Sequence, residues 1–240
     1  MQEKQEIQTG SPDICEIHGK EKVFIGSGYY IEDCPDCWKI KREKQMLEDA
    51  ISRAKMFFTV PVRFKDCCFA NYNPPNDKAK KALMSFVNYE FDHSLILIGG
   101  VGTGKTHLAV ALCLAAVEFG RMTILTTLSE IIREVKSSWK NKATDEFGRQ
   151  MTEQEVIDKY STVNFLVIDE IGSQYGSDSE RIVISEIINN RYNSTRPTVI
   201  IGNITLSQAQ EYLGERVIDR LKDGGEVIVF DWESYRKPMA

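Results

Sequence analysis

Gly99, Gly104, Lys105 and Thr106 satisfy the spacing GxxxxGK[ST] within "GGVGTGKT", residues 99–106. Residue types in this order hold a phosphate chain. Glycines let successive backbone N–H groups turn inward around phosphate oxygens, and a helix starting near Lys105 points its positive dipole end at them. The expected cradle is Gly99, Gly100, Val101, Gly102, Thr103, Gly104, Lys105 and Thr106. Lys105 is expected to reach the β- and γ-phosphates of ATP, and the Thr106 hydroxyl to coordinate Mg2+. Further along, "NFLVIDE" ends an apolar run on Asp169 and Glu170. Asp169 suits a magnesium ligand, direct or through water, and Glu170 suits a base that polarises an attacking water. Asn203 ends the apolar run in "TVIIGN". Its amide can orient that water or report the γ-phosphate, or it can simply start the turn into the next helix.

A second cluster lies near the N-terminus, where "CEIH" and "CPDC" supply Cys15, His18, Cys34 and Cys37. Two such knuckles fit a structural Zn2+ site, because thiolate and imidazole donors satisfy a tetrahedral ion. A segment too small for a real core gains its stability from the metal, worth about 10 kcal/mol or more. A redox role for the CPDC pair is disfavoured, since no βαβ unit fits in the segment. Cys67, Cys68 and Cys113 are expected to pack, and His93 and His107 to be plain structural residues.

These groups need elements to carry them. Apolar runs at 95–98, 123–126, 165–168, 199–201 and 227–230 read as strands covered on both faces, with helical stretches between the earlier ones, which implies a parallel sheet of α/β type. "KIKREKQMLEDAISRAKMFF" lacks Gly and Pro and is rich in helix formers, so it reads as a connecting helix. The expected organisation is a zinc-binding module over 1–38, a linker helix over 39–63 and a nucleotide-binding domain over 64–240. The net charge of −5 excludes a surface that is basic throughout, so contact with a polyanion must be local. "REVKSSWKNK" offers such a patch, with Arg133, Lys136, Lys140 and Lys142 around Trp139, and reads equally as a solvated helix face with Trp139 on the core. Tyr175 in "IGSQYGSDS" is a second candidate for contact with single strands. No apolar run spans a bilayer, no signal core opens the chain, and the protein is expected to be cytoplasmic with reduced cysteines.

The phosphate loop "GGVGTGKTHLA", the strand "FLVIDEIG", "ISEIINNRYNSTRPTVIIGN", "LGERVIDRL" and "FDWESYR" together resemble the DnaC-type replicative helicase loaders of bacteria and phages, from about Phe64 onward. That resemblance implies an AAA+ ATPase with sheet order 5-1-4-3-2, without a helical lid after the last strand and so without a sensor 2 arginine. By the same resemblance Asn203 stands at the sensor 1 position. Arg220 stands at the arginine that completes the ATP site of a neighbouring subunit, with Arg216 one turn earlier as its alternative. The partners it implies are the replicative DNA helicase, gripped by the N-terminal region, single-stranded DNA, and further copies assembled head to tail when ATP is bound. Two other functions remain open at this point: an IstB-type helper of transposition, and a zinc adaptor that keeps ATP without hydrolysing it.

Overall fold

In the computed structural model, which describes residues 14–21, 24–25, 29–30, 34–172 and 178–236, the chain divides into two units, Met1–Ala50 and Ile51–Ala240. In the first, two short strands, β1 (Phe24–Ile25) and β2 (Tyr29–Tyr30), pair antiparallel. Helix α1 (Pro35–Phe57) follows. Pro35 stands at its first position, where a missing N–H costs nothing and the fixed φ suits a helix. The helix therefore begins inside the CPDC motif, ahead of the start at 39 expected from its composition.

The second unit is built on five strands, β3 (Leu95–Gly99), β4 (Thr123–Thr127), β5 (Phe165–Ile171), β6 (Thr198–Gly202) and β7 (Glu226–Phe230). All neighbours run parallel, in the order β4-β5-β6-β3-β7. Counted within this sheet the order is 2-3-4-1-5, the reverse statement of the expected 5-1-4-3-2. Helices α2 (Asp77–Val87), α3 (Lys105–Glu118), α4 (Leu128–Ser138), α5 (Glu153–Thr162), α6 (Asp178–Asn193), α7 (Leu206–Leu213) and α8 (Glu215–Lys222) complete the unit.

Because successive side chains of a strand point to opposite faces, an apolar run with no polar alternation must be covered twice. Ile96, Ile98, Leu166, Ile168 and Ile200 join the cluster containing residues of α4 to α8. Leu95, Leu97, Val167, Val199 and Ile201 face the other way, into a cluster with residues of α2 and α3. Three helices start with reciprocal caps, Thr127 with Glu130, Thr152 with Glu155 and Thr205 with Gln208. Each satisfies amide donors that a helix start leaves open.

One buried cation ties the far side of the sheet. Arg191, 1% exposed, donates from Nε to Thr198 Oγ1 at 2.8 Å, from Nη1 to the carbonyls of Tyr160 at 2.9 Å and Val163 at 2.7 Å, and from Nη2 to that of Pro197 at 2.6 Å. The Nε, Nη1 and Nη2 donors thus hold the end of α5, its own helix α6 and the entry of β6 together. Burial lowers its pKa to about 9. Among the described residues no helix is long and apolar enough to cross a membrane.

Candidate functional site

The C-terminal ends of β3, β5 and β6 open on one cleft of about 380 Å³, a size common for ligand sites. Its lining includes the phosphate loop from Val101 to Thr106, Asp169, Glu170 and Asn203. Three separate segments of sequence therefore meet at one place, as expected for a parallel sheet whose ligands gather outside its carboxyl edge. Gly104 caps α3 with φ +94°, and a Cβ there would lie 2.5 Å from the ring of Tyr72. The motif's glycine is required both by this left-handed backbone and by the tyrosine packed against it.

Lys105 is only 4% exposed and folds back on its own loop, with Nζ donating to Gly99 O at 3.0 Å and Gly100 O at 2.6 Å. Burial lowers its pKa to about 8; Asp169 opposes that shift and Arg236 adds to it. Thr106 Oγ1 donates to Asp169 Oδ2 at 2.7 Å. The two side chains expected to share a magnesium ion are thus already in contact, and their hydroxyl and carboxylate oxygens are the hard donors such an ion takes.

Glu170 lies on the next residue, with its backbone N–H donating to Asp169 Oδ1 at 2.6 Å. Its φ of +60° is in the left-handed region, which a non-glycine residue adopts at a cost. The pairing of β5 with β6 is interrupted between Ile168 and Ile171. A bulge of this kind re-aims side chains, and here it turns Asp169 and Glu170 to the cleft, although β5 continues past them to Ile171.

Arg216 and Arg220 do not join this group. Neither is among the described residues that line the cleft. Arg216 is exposed on α8, and Arg220 is half-buried, with Nη1 donating to Asn189 Oδ1 and Cζ 5.9 Å from the centre of the Tyr192 ring.

Other residues reach the cleft that their local sequence does not advertise. Arg63, Tyr72, Asn73, His107, Tyr235 and Arg236 all line it. His107 lines the cleft while keeping plain structural contacts. Its Nε2 lies 3.0 Å from Cys68 O, an acceptor, so Nε2 carries the proton and Nδ1 accepts from the Cys67 thiol at 3.3 Å. Cys67 and Cys113 are buried as expected, but Cys68 is exposed. The only advance signal for this pair was the position of His107 beside Thr106.

In the first unit the donor atoms of Cys15, His18, Cys34 and Cys37 lie within 4.8 Å of one another. The imidazole Nδ1 of His18 is 3.7, 3.4 and 3.3 Å from the sulfurs of Cys15, Cys34 and Cys37, and the Cys15 and Cys37 sulfurs are 3.6 Å apart. A tetrahedron with metal–sulfur bonds of about 2.3 Å has edges of roughly 3.7 Å, so these four residues could hold one zinc ion. The first turn of α1 helps, since Cys37 N–H donates to Cys34 Sγ at 3.5 Å.

The basic stretch is split. Arg133, Lys136, Lys140 and Lys142 surround a depression shared with Glu180 and Tyr212. Lys136 pairs with Glu180 at 3.0 Å. Trp139 is outside that lining, 55% exposed, with its indole N–H donating to Glu153 at 2.7 Å; it lines a smaller depression with Ile132, Val135, Lys136 and Val183. Tyr175 lies outside the described residues.

Comparison with known proteins gives one consistent relationship. Residues 28–239 match the family described as IstB-like ATP binding protein. The chain is 35% identical over 178 residues to the replicative helicase loader DnaC of Escherichia coli (strain K12), covering 72% of this chain and 70% of that protein. The crystal structure of the DnaC helicase loader superposes with a TM-score of 0.60 at 27% identity, over 70% of this chain and 99% of that one. AMPPCP-bound DnaA from Aquifex aeolicus shares the fold, with a TM-score of 0.56 at 19% identity over 70% of this chain and 51% of that one.

Proposed function

The chain belongs to the IstB-like ATP binding protein family, and from its kinship there with the helicase loaders we propose that it is an ATP-dependent loader placing a replicative DNA helicase on single-stranded DNA. The observation that carries this reading is the 35% identity with DnaC over 178 residues, taken with the assembled cleft. In that cleft Lys105 exchanges its loop carbonyls for the β- and γ-phosphate oxygens, and Thr106 and Asp169 hold magnesium, which neutralises phosphate charge when bound. Glu170 accepts a proton from water as that water bonds to the γ-phosphorus and the bond to the leaving oxygen of ADP breaks. Asn203 orients the water.

Arg220 acts on the ATP of a neighbouring subunit in a head-to-tail assembly, with Arg216 as the alternative. Its place outside its own chain's cleft supports a role in trans, and such an arginine raises phosphoryl transfer by about a thousandfold or more. Cys15, His18, Cys34 and Cys37 hold a structural zinc ion. Their unit supplies the helicase contact, and the basic depression of Arg133, Lys136, Lys140 and Lys142 contacts DNA phosphates. The work is done in the cytoplasm.

Co-purification with candidate replicative helicases, with and without ATP and single-stranded DNA, tests the reading. Recovery of an ATP-dependent helicase complex is expected; recovery of a transposase and no helicase refutes it in favour of a transposition helper. Glu170→Gln is expected to keep ATP bound and prolong that complex, and wild-type turnover in this variant removes the base. Mixing Arg220→Ala with Lys105→Ala subunits is expected to restore hydrolysis, and absence of rescue at every ratio removes the role in trans.

A further inference from the structure

The motif "FDWESYR" is left without a task by the site described so far, yet the structure lays it directly on the phosphate loop. We propose that segment 231–236 is a strap across that loop and that Arg236 contacts the phosphate chain of a nucleotide bound to its own chain. The proposal rests on the nucleotide reading of the cleft and adds to it a second cation, delivered in cis and distinct from Arg220.

The placement begins with the sheet. Strand β7 pairs with β3 up to Gly99 opposite Phe230, and Gly100 N–H donates to Phe230 O at 3.1 Å. The chain therefore leaves β7 where the phosphate loop leaves β3. Two bonds then fasten the segment to the loop. The buried Trp232 donates from Nε1 to Thr103 O at 2.9 Å, and the backbone N–H of Tyr235 donates to Gly102 O at 2.9 Å. A third anchors it beyond the loop, from Tyr235 Oη to Asn73 O at 2.6 Å.

The loop in turn is shaped to receive the strap. Gly102 has φ +78°, and a Cβ built there would lie 2.1 Å from Ser234 Oγ and 3.3 Å from Arg236 Cγ. A side chain at Gly102 would force the Ser234 hydroxyl to move and would crowd Ser234 Cβ and Arg236 Cγ. Two loop carbonyls, which phosphate cannot use, are thus spent on the strap. Apart from Gly100 N–H, which Phe230 O takes, the loop N–H groups are left to the ligand.

Fastened this way, Arg236 lines the cleft together with Lys105, Thr106, Asp169 and Asn203. Among the described residues no carboxylate lies within ion-pair distance of its guanidinium. Lys105 and Arg236 line one cleft, so the two cations share one field. A guanidinium and an ammonium beside a helix N-terminus form a site for several phosphate oxygens, and the guanidinium adds forked donors that lysine lacks.

The test is equilibrium binding of ATP, ADP and adenosine to the full chain in magnesium, comparing the parent with Arg236→Ala, Arg236→Lys and Lys105→Ala. Arg236→Ala is expected to weaken ATP and ADP about tenfold without changing the melting temperature of the ligand-free chain, and Arg236→Lys to recover part of the loss. Unchanged ATP and ADP affinity in Arg236→Ala, alongside their loss in Lys105→Ala, overturns the proposal and leaves the nucleotide reading standing. Equal weakening of adenosine and ATP overturns the phosphate contact. A parent chain that binds no ATP overturns the nucleotide reading and the strap's role with it.

Discussion

The titration of Lys105 makes nucleotide binding dependent on pH in a calculable way. Burial holds the ligand-free ammonium at about 8, with Asp169 pulling the other way. Phosphates bind the charged form and raise its pKa, so below that value the site is ready and above it binding must first take up a proton. The apparent dissociation constant scales as one plus ten to the power of pH minus pKa. It rises by about a tenth at pH 7 and about elevenfold at pH 9, or roughly 1.4 kcal/mol for the unit crossed. The triphosphate adds little of its own, because its last ionisation is finished well above about pH 6. Calorimetric titration of the full chain with ATP and magnesium, in pairs of buffers with different ionisation heats, measures both affinity and protons. The expected result is close to one proton taken up at pH 9 and almost none at pH 7. An affinity that is flat across this range, with no proton uptake, refutes the idea that a buried, desolvated lysine receives the phosphates.

Replacing Arg191 by methionine keeps the volume but leaves the acceptors around it, Thr198 Oγ1 and the carbonyls of Tyr160, Ser161, Val163 and Pro197, without that donor, which is expected to cost about 3 to 5 kcal/mol. Thermal unfolding checks it, and a loss under about 1 kcal/mol contradicts the role given to the buried guanidinium. Metal analysis is expected to find one zinc per chain, and substitution by cobalt to give the absorption of a tetrahedral site with sulfur ligands. Cys34→Ser is expected to lose that signal while ATP binding persists, since the cleft lies wholly within Ile51–Ala240; an unaltered cobalt spectrum in this variant contradicts the four-ligand site.

The phosphate loop, the acidic pair, the five strands and the Cys and His donors were legible along the chain, and the physical reason is local. A left-handed turn demands glycine at Gly104, a strand covered twice must be apolar on both faces, and paired ligands at short spacing meet without help from distant residues. Tertiary structure decided what depends on distance through space. Only the folded sheet sets Gly99 opposite Phe230 and so lays Tyr235 and Arg236 on the loop. Only packing brings Cys67 to His107, aims the donors of Arg191 from α6 at the end of α5 and the start of β6, and keeps Arg220 out of its own cleft. Even the direction of Glu170 goes with a break in pairing with β6, an element some thirty residues away, and a positive φ at a glutamate leaves no mark on the local sequence.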